Sequence, residues 1–364
     1  MTARRAPRGT PRSLGYRWPA EWAPHAATWI IWPHRRDDWP GRFEAIPLVF
    51  AEIVRQLAPH EPVRIVVGSA ARESRARAIL DASGVDLTRV IFYRWPTDRS
   101  WTRDSGPIFV RNPAPPADLP PVAITDWGFN GWAKYDDWDR DDRLPSRVAR
   151  ALGLPAWRPR SGDRRVVLEG GAVDGNGAGL LLATEECLLS DVQARNPGLE
   201  RAALERALSD YLAVDRVLWL ARGIAGDDTH GHIDDVARFV GVRTIVAARE
   251  PNPDDPNHVP LEENLARLRG ATDADGRPFE VVELPMPRRL AYGAQRVPAS
   301  YLNFYVANGV VLVPTFNDPA DRVALSTLER LFPGREVTGL HSGDLIWGLG
   351  SVHCLTQPEP AAEG

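Results

Sequence analysis

Cysteine is nearly absent from this chain of 364 residues: Cys187 and Cys354 are the only two, so no disulfide framework is encoded. Lysine is scarcer still, with Lys134 the single one among 44 basic residues. A formal net charge of −4 offers no positive field for a nucleic acid or an anionic membrane. No run approaches the ~18 apolar residues needed to span a bilayer. Residues 1–14 are rich in Arg, Pro and Thr, and no apolar run follows Arg4-Arg5. They read as neither signal peptide nor twin-arginine leader, and a disordered tail is the expectation. Two reduced cysteines fit a cytoplasmic location.

What is there is ordinary for a soluble globular protein, 43% hydrophobic and 25% charged, apart from 13 tryptophans. Trp29, Trp32, Trp101, Trp127 and Trp132 lie near candidate site residues. Indoles can wall a pocket and face a cation, or fill a core. Helical patterns cover residues 43–57, 72–83, 143–152, 199–212, 261–269 and 319–331. Strand-like runs lie at 63–67, 90–93, 108–110, 122–125, 165–168, 180–184, 217–220, 236–240, 244–248 and 280–284. Runs at 301–307 and 310–316 flank Asn308-Gly309, a hairpin signal. Many strand pairs are joined too tightly for parallel crossovers, so a plain doubly wound parallel sheet is not the expectation.

Four polar positions then stand out. Cys354 follows a glycine-rich approach, Gly348-Leu349-Gly350-Ser351, in which Gly348 and Gly350 would let backbone approach a ligand. Asp104 sits before Gly106-Pro107, a turn expected to expose a carboxylate. Glu169 ends an apolar run and precedes Gly170-Gly171. His232 lies in His230-Gly231-His232-Ile233-Asp234, where an extended backbone would put His230, His232 and Asp234 on one face. In an extended segment His353 would point away from Cys354, which makes His232 the better base. The intervals between Asp104, Glu169, His232 and Cys354 are 65, 63 and 122 residues, the last twice 61. A period near sixty fits about five units, each a few strands and a helix, arranged radially as a propeller.

Carboxylates bind a guanidinium through paired, charge-assisted hydrogen bonds. A cysteine thiolate can attack its carbon, and a histidine can protonate departing ammonia and then activate water. A metal hydrolase built on His230, His232 and nearby aspartates stays open, as does a binder of cations without turnover. The metal reading has no equal use for the cysteine.

The chain resembles the agmatine deiminases and the bacterial peptidylarginine-deiminase-like proteins of the guanidino-modifying, or pentein, superfamily. The resemblance runs from about Gly15 to Pro360. It rests on Pro19-Ala20-Glu21-Trp22, Trp32-Pro33-His34, Trp101-Thr102-Arg103-Asp104-Ser105-Gly106-Pro107 and Asp126-Trp127-Gly128-Phe129-Asn130. It continues through Glu169-Gly170-Gly171, Thr184-Glu185-Glu186-Cys187-Leu188-Leu189, Asn196-Pro197, Gly231-His232-Ile233-Asp234 and Val352-His353-Cys354-Leu355-Thr356-Gln357. It implies an α/β fold, a five-bladed propeller with pseudo-fivefold repeats, in a single catalytic domain over residues 15–360. It implies hydrolysis of agmatine to N-carbamoylputrescine and ammonia, in putrescine and polyamine biosynthesis. Cys354 would be the nucleophile that forms an amidino-cysteine, and His232 the acid/base. Asp104 and Asp234 would hold the guanidinium with support from Glu169, Trp101 would line the substrate tunnel, and Cys187 would be structural. Asp228 and Gly350 are further substrate-binding candidates. No metal or organic cofactor is expected, and a homodimer or larger assembly is. The sequence departs from the family pattern at Arg99, His230, Asp235 and Leu349. An Arg99 facing the pocket would repel a distal ammonium and favour another guanidine, such as free or peptidyl arginine.

Overall fold

Val122–Thr125 is buried at every position, as a strand covered on both faces must be. In the computed structural model, which describes residues 6–363, it pairs antiparallel with Ile108–Arg111. The chain then passes through the helix Leu144–Leu152 and returns parallel as Ala156–Trp157. Pro145 opens that helix and Gly153, at φ 67°, closes it in the left-handed conformation that glycine adopts without penalty.

The same order recurs along the chain: a short strand, an antiparallel central strand, a helix, a parallel strand. Asp174–Gly175, Leu180–Thr184, the helix Arg201–Leu212 and Arg216–Leu220 form one such unit. Ala237–Phe239, Thr244–Arg249, His258–Gly270 and Glu280–Pro285 form the next. Tyr305–Val306, Val310–Thr315, Ala320–Leu331 and Glu336–His341 follow, with the Asn308-Gly309 turn between the first two strands. The remaining unit draws on both ends of the chain. Gln357–Pro360 pairs antiparallel with His25–Ile31, which leads through the helix Ile46–Leu57 to the parallel strand Val63–Val67. A second helix, Ala70–Ala82, adds Val90–Arg94 to that sheet. Among the described residues these are the five sheets of three or more strands; two two-stranded ribbons complete the list.

Among the described residues, three strands of four or more residues lie outside the sequence expectation. His25–Ile31 and Glu336–His341 are two of them; the third, Gln357–Pro360, holds Pro358 and Pro360 and no apolar residue, which a sheet accepts at an edge. The expected strand at 165–168 is reduced to Arg164–Arg165 in a ribbon, while Gly128 and Val167 make an isolated bridge. Of the expected tail, residues 1–5 lie outside the described residues. Further on, Arg12–Leu14 form a 3-10 turn, Arg12 pairs with Asp215 at 2.6 Å, and Trp157 donates to the Gly9 carbonyl at 3.0 Å. No helix among the described residues is long and apolar enough to cross a membrane.

Candidate active site

Each unit places polar residues in the two to five positions ahead of its short strand. Asp104 precedes Ile108–Arg111, Glu169 precedes Asp174–Gly175, and Asp234 precedes Ala237–Phe239; Asn303 precedes Tyr305–Val306, and Cys354 precedes Gln357–Pro360. These segments turn rather than extend. Thr102–Ser105 and Val352–Leu355 are single helical turns, and Ile233–Asp235 is a 3-10 turn. His230 and Gly231 have φ of 64° and 95°, so the alternation expected to align His230 with His232 does not apply. Asp104, expected to be exposed, is buried, because its turn faces inward against the other units.

The three carboxylates share one arrangement, with one oxygen anchored and the other facing His232. Asp104 Oδ2 accepts from Trp132 Nε1 at 2.9 Å; its Oδ1 accepts from the Gly171 amide at 3.1 Å and lies 3.8 Å from His232 Nδ1. Glu169 Oε1 accepts from Arg195 Nε at 3.0 Å, and its partnerless Oε2 is 3.9 Å from His232 Nε2. Asp234 Oδ2 accepts from His353 Nδ1 at 2.7 Å, and its partnerless Oδ1 is 4.0 Å from His232 Nδ1. Neither ring nitrogen of His232 has a hydrogen-bond partner. Buried polar atoms without partners are uncommon, and four of them around one histidine mark a place built for polar groups of a ligand. The His232 loop is held by Asp227, whose Oδ2 accepts from the Gly231 and His232 amides at 2.7 and 3.0 Å.

Cys354 Sγ lies 3.7 Å from Asp234 Oδ2 and 3.2 Å from Asn303 Nδ2. Burial, then the carboxylates of Asp234, Asp235 and Asp104, push its thiol well above the usual range. Burial alone would lower His232, but Asp104, together with Cys187 and Glu169, drives it well above the ordinary histidine value. Burial, reinforced by Asp234 and Glu169 against the opposing charge of His232, raises Asp104 to about 6. Burial would also raise Glu169, yet Arg195 and His232 bring it down to about 2. Asp234 is held low against burial by His353, while its neighbour Asp235 is pushed up by burial and by Asp234.

Cys354 and Asp104 open into a cavity of about 670 Å³ walled by Trp101, Trp132, Tyr135, Trp347, Gly348 and Gly350. Gly350 is fixed by packing: a Cβ there would lie 2.6 Å from the Trp101 ring. Six aspartates (Asp37, Asp38, Asp104, Asp136, Asp137 and Asp228) and two arginines, Arg35 and Arg99, line the cavity. Arg99 does face it, but its charge is engaged. It bonds Asp38 at 2.5 Å and Asp137 at 3.1 Å and lies over the Tyr135 ring at 4.1 Å. Asp228 accepts from the Tyr135 hydroxyl at 2.7 Å and pairs with Lys134.

A metal would find its donors elsewhere than the sequence suggested. Among the described residues the group able to hold an ion is Glu169, Cys187 and His232, without His230. Arg195, itself fully buried, already neutralises Glu169 there, so a divalent cation would have to sit beside a guanidinium. The donor set does not fit a resident metal.

A family model for the Porphyromonas-type peptidyl-arginine deiminases matches residues 17–360. The chain belongs to this family. Agmatine deiminases from Pseudomonas aeruginosa (strain LESB58) and Ectopseudomonas mendocina (strain ymp) are 36% and 35% identical to it, over 98% of both chains in each case. The solved agmatine deiminase of Enterococcus faecalis superposes with a TM-score of 0.89 at 31% identity, covering 99% of this chain and 100% of that one. A C. jejuni agmatine deiminase with substrate bound superposes at 0.82, with 25% identity over 96% of this chain and 97% of the other. The mixed α/β fold of this deiminase is therefore that of solved agmatine deiminases.

Of the sequence candidates, Asp104, Glu169, His232, Asp234 and Cys354 converge, and Trp101, Asp228 and Gly350 line the cavity. Trp29, Trp32 and Trp127 belong to the core instead. Asn303 escaped the sequence reading because it was absorbed into a strand-like run at 301–307. Its signal was the doubled interval between His232 and Cys354, which left one repeat without a polar residue. Of the three carboxylate anchors, Arg195 carried no signal in sequence; Trp132 was read as a pocket wall or core residue, and His353 was weighed only as a base for Cys354.

Proposed function

We propose that this deiminase hydrolyses agmatine to N-carbamoylputrescine and ammonia through a covalent amidino-cysteine. The observation that carries this is the convergence of three carboxylates, each turning one oxygen to a buried His232, beside Cys354. The His232-facing oxygens of Asp104, Asp234 and Glu169 accept the guanidinium N–H groups. Its positive charge stabilises the Cys354 thiolate, to which Asn303 Nδ2 also donates, and the thiol proton leaves to solvent. The sulfur attacks the guanidinium carbon. His232, protonated at neutral pH, gives its proton to the terminal nitrogen as the C–N bond breaks and ammonia departs. The neutral ring then takes a proton from water and the hydroxide adds to the amidino carbon; the C–S bond breaks with release of the thiolate, the hydroxyl proton passes to solvent as the carbonyl forms, and the ureido product leaves.

The cavity wall favours a cationic tail. With six aspartates against two arginines, and Arg99 held by two of the six, the field suits the distal ammonium of agmatine better than the carboxylate of free arginine. The five repeated units are best read as blades of a pentein propeller. Each blade brings one pre-strand segment to a common axis, within a single domain over residues 15–360. We place the enzyme in the cytoplasm, in putrescine formation, as a dimer or larger assembly without cofactor. The deciding experiment measures ammonia and ureido product from agmatine, arginine and an arginine peptide, with Cys354→Ala as control. Turnover of agmatine that is lost in the variant is expected. Turnover in the variant above background removes the mechanism, and preference for arginine removes the substrate assignment.

A further inference from the structure

The His353 ring neighbours the nucleophile but faces away from the cavity. Its Nδ1 lies 2.7 Å from Asp234 Oδ2 and its Nε2 2.9 Å from Glu21 Oε2, and the side chain is buried. Glu21 is itself a hub. It accepts from Arg103 at 2.8 Å, from Arg238 at 2.9 Å and from the Val306 amide at 3.0 Å. It thereby touches the segments that follow or carry Asp104, Asp234 and Asn303. Burial would raise Glu21, but Arg238, His353 and Arg103 hold it well below the carboxylate range, so it is an acceptor only. A ring with a carboxylate oxygen against each nitrogen must donate from both.

We propose that Glu21 and His353 are positioning residues for deimination: Glu21 keeps the His353 ring doubly protonated, and this imidazolium pins Asp234 Oδ2 so that Oδ1 stays charged and turned to the guanidinium. The inference rests on the reading of Asp234 as a guanidinium acceptor. Asp234 is also faced by His232, Arg238, Cys354, Asp235 and Asp104, and His353 by Arg103 through its carbonyl. All of these remain when His353 alone is changed.

The test is His353→Asn in the full chain, which keeps one donor near the Nδ1 position but loses the charge and the reach to Glu21. Removing a cation beside Asp234 raises its pKa. The acid limb of kcat/KM for agmatine should therefore move to higher pH, with kcat/KM at pH 8 falling about 10- to 100-fold and most of the loss in KM. A folded variant with wild-type kcat/KM and an unmoved acid limb overturns the proposal, since a merely structural role moves only the melting temperature. Glu21→Gln, an isostere without the charge, should shift the limb in the same direction. If neither variant folds, 15N spectra of histidine-labelled wild-type and His232→Asn proteins decide: a buried ring protonated at both nitrogens at pH 7 supports the relay, and its absence overturns it. Wild-type turnover by Asp234→Asn would instead remove the guanidinium reading, whatever the His353 result.

Discussion

Asp104 sets the pH dependence expected of the free enzyme. Burial raises its pKa to about 6, so below that pH it is neutral and cannot pair with a guanidinium. kcat/KM for agmatine should rise as pH increases through about 6, and a profile flat from pH 5 to 8 would contradict this. For stability the same shift has the opposite sense. The folded state binds this proton more tightly than the unfolded chain, so the group's contribution grows as pH falls from about 6 toward its ordinary value. Cys354 gives a second residue-scale prediction. Its thiol is raised well above 9, so the rate of alkylation by iodoacetamide, followed at Cys354 by mass spectrometry, should still be climbing past pH 9 in the free enzyme. A plateau near pH 7 would mean a thiolate already formed. Cys354 and His232 were legible in sequence as candidates for nucleophile and acid/base. Their ionisation was not, because it follows from burial and from charges more than a hundred residues away.

At the scale of elements, the site depends on how closely the pre-strand turns approach one another. Gly171 is where this is tightest. A Cβ there would stand 2.6 Å from His232 Nδ1, 2.8 Å from Asp104 Oδ1 and 3.1 Å from Asp234 Oδ2. Gly171→Ala should fold yet lose at least about 100-fold in kcat/KM, by displacing groups that must be placed within a fraction of an ångström. Wild-type kinetics in that variant would show that the three groups need not be so near. Asn303 tests the turn that sequence reading passed over. Its amide donates to Cys354 Sγ and, at 3.1 Å, to Asp235 Oδ1. Asn303→Ala should lower kcat about 100-fold through the lost donor to the sulfur. An unchanged kcat would assign Asn303 to structure alone. Helices such as Ile46–Leu57 and Ala320–Leu331 were readable from their apolar spacing, whereas the turns that carry the chemistry have no periodicity to read.

At the scale of the whole molecule, the strand Gln357–Pro360 joins the end of the chain to its first strand and begins three residues after Cys354. Trp29 Nε1 donates to Glu359 Oε2 at 2.8 Å, Arg64 pairs with the same carboxylate, and Gln357 donates to the Pro107 carbonyl beside the Asp104 turn. Deleting residues 357–364 should lower the melting temperature by well over 10 °C and abolish turnover, because the strand both completes a sheet and fixes the Cys354 turn. A truncated protein that melts and turns over like the full chain would refute that role. By itself the sequence determined the alternation of helix and strand, the repeat near sixty residues and the candidates for the reacting groups, since local periodicity and residue chemistry are written in order along the chain. Only the tertiary structure decided which oxygen of each carboxylate faces His232, that Arg99 is already neutralised, and that Asn303 and His353 lie beside Cys354 and Asp234. Those are consequences of distances between segments that the chain brings together only when its two ends meet in one sheet.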